Sequence, residues 1–119
     1  MMPQLPRPVI HECLPCYLYR VAGETRCDGS LRGLSFYRDE SAPRASALER
    51  KVRLLGGFCD CEVLLNVVRP ATTEAIRLID AGEDLVCKGV RRGTIQPCEN
   101  WLMRRGVQWG GGRFSRRSA

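Results

Sequence analysis

Seven cysteines and a single histidine are the residues best suited to chemistry in this chain: Cys13, Cys16, Cys27, Cys59, Cys61, Cys87 and Cys98, with His11. Cys13-Leu-Pro-Cys16 is a Cys-x-x-Cys turn, a spacing that can aim two thiolates at one ion. "GGFCDCEVLLN", residues 56–66, sets Cys59 and Cys61 one residue apart, with Asp60 between them and Glu62 after. A disulfide within Cys-x-Cys would close a very small, strained ring, so this pair reads as metal ligands. The N-terminus, "MMPQLPRPVIHE", lacks the basic start and apolar stretch of a secretory signal. No apolar run is long enough for a membrane span. A cytoplasmic, reducing location is therefore expected, and an odd number of cysteines fits free or metal-bound thiols better than disulfides.

The ligands suffice for two tetrahedral sites. One partition sets Cys27, Cys59, Cys61 and His11 in one site and Cys13, Cys16, Cys87 and Cys98 in the other. An alternative is a single site of Cys13, Cys16, Cys59 and Cys61, with the rest free. Zinc is the expected ion, taking four such ligands with sulfur at about 2.3 Å. The plainer alternative makes the cysteines small buried hydrophobes, and leaves His11 exposed beside a proline-rich terminus. "CLPC" also invites a thiol-exchange reading, but the strand–helix–strand scaffold that such sites require has no room before Cys13. Thiol sensing coupled to zinc, in which oxidation ejects the metal, is compatible with the same residues.

An enzyme would need an open coordination position and a base. Glu12, Asp60 and Glu62 adjoin the cysteines, yet read more simply as helix caps or supports of the ligands. The deaminase pattern of His-x-Glu with a later Pro-Cys-x-x-Cys fails on spacing, and no glycine-rich phosphate loop is present. The chain is read as non-enzymatic, with no catalytic residue.

The net charge of +6 is uneven. Residues 104–119, "RRGVQWGGGRFSRRSA", carry five arginines and no acid, namely Arg104, Arg105, Arg113, Arg116 and Arg117. Trp101, Trp109 and Phe114 interleave with this basic stretch, and aromatics can stack on bases while arginine neutralises phosphate. "KGVRRG" adds Lys88, Arg91 and Arg92 in an expected turn, so that one basic face for nucleic acid is a candidate. The opposing reading is a disordered end with Trp101 in the core.

These side chains must be positioned by a modest single domain. Residues 1–10 read as an extended segment, 11–103 as the zinc-binding domain and 104–119 as a disordered basic tail. Helices are predicted over 27–40, capped by Asp28 or Ser30, and over 44–55, ended by Gly56-Gly57. Residues 61–68 lean to helix with Asp60 as cap, and 72–82 read as a helix from Thr72 or Thr73 to Gly82. "DLVCKGVRRG" is expected to form a strand and turn. "QPCENWLMRR" is expected to form a short helix with Pro97 in its first turn. No element is assigned to 11–27. The fold class expected is a small α-rich (α+β), zinc-stabilised domain.

"RCDGSLR" and "GGFCDCEVLLNV" together resemble a small bacterial family of domains of unknown function, over Cys27 to Val67. Its mark is Cys-Asp-x-Ser/Thr-Leu-Arg and, further along, Gly-Gly-Phe/Tyr-Cys-Asp-Cys-Glu-x-Leu-x-Asn. "CKGVRRGTIQPCENW" is similar to the C-terminal portion of actinobacterial members. Many relatives carry histidine where this chain has Gly29, and that histidine with the three cysteines would complete a zinc site. A fourth ligand here would have to come from His11, Cys13 or Cys16. The resemblance implies a zinc-responsive adaptor that brings a protein partner to the ribosome, as a mycobacterial hibernation factor's helper does. The basic tail would suit ribosomal RNA.

Overall fold

A computed structural model describes residues 5–104. Five helices and one two-stranded sheet make up the regular structure of these residues. Helix α1 spans Leu14–Glu24, α2 Arg32–Ser41 and α3 Leu48–Leu54. The short α4, Asp60–Glu62, runs on into a π-helical turn over Val63–Val67. Strand β1, Val68–Pro70, precedes α5, Thr73–Asp80, and β2 is Trp101–Met103. No helix among the described residues is long and apolar enough to cross a membrane.

Helix α1 occupies the segment to which the sequence reading gives no element. Its signal is present: Leu14, Tyr17, Leu18 and Val21 recur at helical spacing and are all buried. Pro15, which suggests a break, lies in the first turn, where its missing N–H costs nothing. Leu34 and Tyr37 of α2, Leu48 and Val52 of α3, and Val63, Val67 and Val68 close over the same core. Thr72 caps α5, accepting from the Ala75 N–H at 3.0 Å, and Gly82 at φ +71° lies just past its end.

Helix α2 is capped from outside its own sequence. Neither Asp28 nor Ser30 bonds the N–H groups of its second and third residues. Asp28 accepts from the Ser30 N–H and hydroxyl, and Ser30 Oγ reaches only the Arg32 N–H, at 3.3 Å. The carboxylate of Asp60 accepts from the Gly33 N–H at 2.8 Å and the Leu34 N–H at 3.0 Å. Asp60, expected to cap its own helix, is thus spent on α2. Burial outweighs those two N–H groups and holds its carboxyl above the usual range. A Cβ at Gly33 would lie 2.6 Å from Asp60 Oδ2, so only glycine leaves room for this contact.

The two glycines after α3 do different work. Gly56 takes φ +100°, a left-handed conformation that ends the helix. Gly57 lets the chain press on the core, since a Cβ there would lie 2.8 Å from Val52 and 3.0–3.1 Å from Val67 and Val63. Asn66 Nδ2 then donates to Gly56 O at 2.8 Å, and Glu62 Oε1 accepts from the Phe58 N–H at 2.9 Å. These bonds engage the glycines, Glu62 and Asn66 of "GGFCDCEVLLN", leaving the side chains of Phe58, Cys59 and Cys61 without such a task.

Two expected elements differ. Residues 84–93 turn at 92–93 as expected but form no strand: the Gly89 N–H goes to the Cys87 sulfur and the Val90 N–H to His11 O instead of to a neighbouring strand. Residues 96–104 form no helix: a turn at Glu99–Asn100 leads into β2, which pairs antiparallel with β1 in the register Val68↔Met103, Arg69↔Leu102, Pro70↔Trp101. Pro97 therefore precedes a strand. Substituting Gly57→Ala or Asp60→Ala is expected to lower unfolding free energy by about 2 and about 1–2 kcal/mol. Urea titration monitored by circular dichroism checks both, and wild-type midpoints would refute these assignments.

Candidate metal centre

The sulfurs of Cys13, Cys16, Cys87 and Cys98 all lie within 4.8 Å of one another. They come from three separate segments. Cys13 is the N-cap of α1, its Sγ accepting from the Cys16 N–H at 3.4 Å. Cys87 is gripped by its own loop, accepting from the Gly89 N–H at 3.3 Å and the Cys13 N–H at 3.2 Å. Gly89 takes φ +92°, which allows the backbone to curl around the sulfur. Cys98 accepts from the Asn100 N–H at 3.5 Å and lies 3.7 Å from the Cys16 sulfur. Cys16 in turn accepts from Trp101 Nε1 at 3.3 Å and from Asn100 Nδ2 at 3.7 Å.

Six N–H groups therefore point at four sulfurs. Cysteines serving as small hydrophobes would not gather donors in this way; sulfur carrying negative charge would. Cys13, Cys16 and Cys98 are buried, Cys13 completely so. Among the described residues no lysine or arginine bonds to any of the four sulfurs. Their protons are shared unequally. Hydrogen bonding with Cys16, Cys87 and Cys98, with burial added, pushes the Cys13 thiol far up. A hydrogen bond from Cys13 lowers Cys16, but Cys87, Cys98 and burial prevail and raise it. Bonds from Cys13 and Cys16 bring Cys87 down to about 6, and bonds from Cys13, Cys16 and Cys87 hold Cys98 far below the ordinary range.

The group fits a tetrahedral thiolate ion. Ligand sulfurs at about 2.3 Å from a central ion lie about 3.8 Å apart along each tetrahedral edge. The 3.7 Å between Cys16 and Cys98 matches that edge and is far beyond a disulfide bond, and all seven cysteines are free. The four cysteines can hold a metal ion. Four such ligands would complete a tetrahedral set without a further group.

Cys27, Cys59 and Cys61 form a second, looser group. The Cys27 thiol interacts with both Cys61 and Cys59, and all three are half-buried. Burial opposes the Cys27 thiolate, but the N–H groups of Gly29 and Cys61 and the two neighbouring thiols outweigh it and lower its pKa. Burial and Cys27 push Cys61 up to about 11; burial, partly offset by the Glu62 N–H, raises Cys59. These three sulfurs are not drawn as close together as the four, which are the one set of three or more candidate ligands within 4.8 Å among the described residues.

His11 belongs to neither cluster. It is exposed, at φ +67°, with Nδ1 2.9 Å from Val90 O, while Val90 N–H donates to His11 O at 2.8 Å. This two-point bond ties the Cys87 loop to the turn that carries Cys13. Neither the grouping of Cys27, Cys59, Cys61 and His11 nor that of Cys13, Cys16, Cys59 and Cys61 is assembled. Glu12 is taken up by a two-pronged contact from Arg20, and Tyr37 OH donates to its backbone oxygen.

Trp101 is buried, with its ring 6.4 Å from that of Tyr19 and its N–H on Cys16, so it is not available to stack on a base. Sequence reasoning missed Asn100, which bridges Val86 O and the Cys16 sulfur. Its place two residues after Cys98 was the available signal. Lys88, Arg91 and Arg92 are exposed, and Arg104 ends the described chain. Arg105, Trp109, Arg113, Phe114, Arg116, Arg117 and the expected disorder of the tail lie outside the described residues.

Residues 14–66 match the profile of a family described as a protein of unknown function (DUF2695). Comparison with curated proteins and with solved structures gives no match. The match supports a small family of unknown function. It takes in Cys16, Cys27, Cys59 and Cys61 but stops short of Cys13, Cys87 and Cys98.

Differential alkylation of the native chain should modify Cys27, Cys59 and Cys61 well before Cys13, Cys16 and Cys98, read by mass spectrometry of the digest. His11→Ala should selectively hasten labelling of Cys87. Equal rates at all seven thiols would refute the burial order.

Proposed function

We propose that this chain is a non-enzymatic, zinc-binding adaptor or regulator. Cys13, Cys16, Cys87 and Cys98 would hold a structural zinc, which would supply positive charge against four thiolates, three of them buried. The observation that carries this reading is the convergence of four sulfurs and six N–H groups, with a sulfur–sulfur edge of tetrahedral length. A full set of protein ligands leaves no open position for substrate or water, which favours a structural over a catalytic role. Cys27, Cys59 and Cys61 are a more accessible set. They would bind a more readily exchanged zinc and give the protein its response to zinc supply.

The ribosome is the proposed place of action, with ribosomal RNA met by Lys88, Arg91 and Arg92 and by Arg104, Arg105, Arg113, Arg116 and Arg117. Their charge and exposure support this for the first three, and composition supports it for the tail. The cytoplasm is the matching location.

Native mass spectrometry of anaerobically purified protein should show zinc, with one equivalent lost in Cys98→Ser and a second, weaker equivalent lost in Cys59→Ser. A strong chelator should lower the melting temperature. A metal-free chain with full native structure and unchanged melting would sink the zinc reading. Deleting residues 104–119 should weaken binding to ribosomal RNA and flatten its salt dependence; stronger binding to duplex DNA than to RNA would turn the reading toward a transcription regulator.

A further inference from the structure

Leu54, Phe58 and Leu65 are 75%, 60% and 66% exposed. Single exposed apolar side chains are ordinary on protein surfaces. These three differ because they project from segments that are locked together. The Gly56–Asn66 bond joins the turn after α3 to the π-helical turn, and the Phe58 N–H is fixed by Glu62. Gly57 is pressed against Val52, Val63 and Val67, which anchors the backbone immediately before Phe58. Phe58 is thus presented on a held backbone.

On the outward face of α3 the charge has one sign, and the nearby Glu62 carboxylate accepts from the Phe58 N–H. On α3, Leu48 and Val52 face the core, so Arg50, Arg53 and Leu54 lie on the outward arc. The side chains of Arg50, Lys51 and Arg53 make no ion pair or hydrogen bond among the described residues. Arg38, on the inner side, is by contrast neutralised by Glu49 and Asp39. The result is an apolar rim bordered by uncompensated cations. A polyphosphate would use the cations and leave Leu54 and Leu65 in water. A helix with an apolar stripe flanked by carboxylates satisfies both features at once.

We propose that the outward face of α3 and the rim of the Gly56–Asn66 turn form a docking site for an acidic amphipathic helix of a partner protein. Phe58 is the anchor, Leu54 and Leu65 extend the apolar contact, and Arg50 and Arg53 meet the carboxylates. This deepens the adaptor reading and rests on it for its biological sense, while using none of the cysteines.

The test uses the full chain and a fluorescent amphipathic helix peptide about five turns long, with a Leu/Phe stripe bordered by Glu and Asp. Fluorescence anisotropy should show saturable binding. Phe58→Ala and Arg53→Glu should each weaken it about tenfold. Ile76→Ser, on exposed α5, should leave it unchanged. Leu54→Ser serves as a further variant should either of the first two alter melting. The proposal is overturned by wild-type affinity in Phe58→Ala and Arg53→Glu, by equal binding of a peptide whose acids are replaced with lysine, or by no saturation. Displacement of the peptide by single-stranded RNA at stoichiometric concentration would also overturn it, assigning the face to nucleic acid. Zinc content measured on the same samples separates the two readings: a zinc-free chain that still binds through Phe58 sinks the zinc centre and keeps this surface.

Discussion

Three buried sulfurs and a half-buried fourth lie within 4.8 Å of one another, and the backbone of three segments is arranged around them. Each sulfur accepts at least one N–H, and those donors fix local backbone that would otherwise have gone elsewhere. Cys13 starts α1. Cys87 curls residues 87–89 out of any strand. Cys98 and Asn100 set the turn that delivers Trp101 to the core and β2 to β1. One demand, the satisfaction of four clustered sulfurs by N–H donors, thus bears on three stretches of backbone.

That demand also explains how much was legible in the sequence. Helices α2, α3 and α5 arise from apolar spacing, the last two with glycine or threonine at an end, and are found within about five residues of where the pattern puts them. The grouping of Cys13 and Cys16 with Cys87 and Cys98 stood among the partitions that ligand arithmetic allows, but arithmetic alone had no means to choose it. The choice is made by β1–β2 pairing and by the His11–Val90 bond, both long-range. For the same reason the strand expected at Cys87 and the helix expected at Cys98 are absent: a sulfur ligand takes backbone donors that local propensity would have spent on a ladder or a helical turn.

Asp60 shows a second limit of local reading. Between two cysteines and at the head of a helical segment, it has every sign of a cap for its own helix. It caps α2 instead, because Gly33 brings that helix's free N–H groups within reach. The pairing of a side chain with a distant helix end leaves no periodic trace. It does leave a glycine with no room for a side chain, and a buried acid bonded to backbone N–H groups.

The sulfurs of Cys16 and Cys98 that meet at 3.7 Å are 82 residues apart in the chain. Half of the ligand set is therefore made first and half last. During synthesis, the first two cysteines emerge long before the pair that completes their cluster, and the intervening core rests until then on apolar contacts and on bonds such as those from Gly33 and Leu34 to Asp60. Closing so long a loop is slow and entropically costly. A chain that stops short of Cys87 therefore carries Cys13 and Cys16 without either of the sulfurs that complete their cluster.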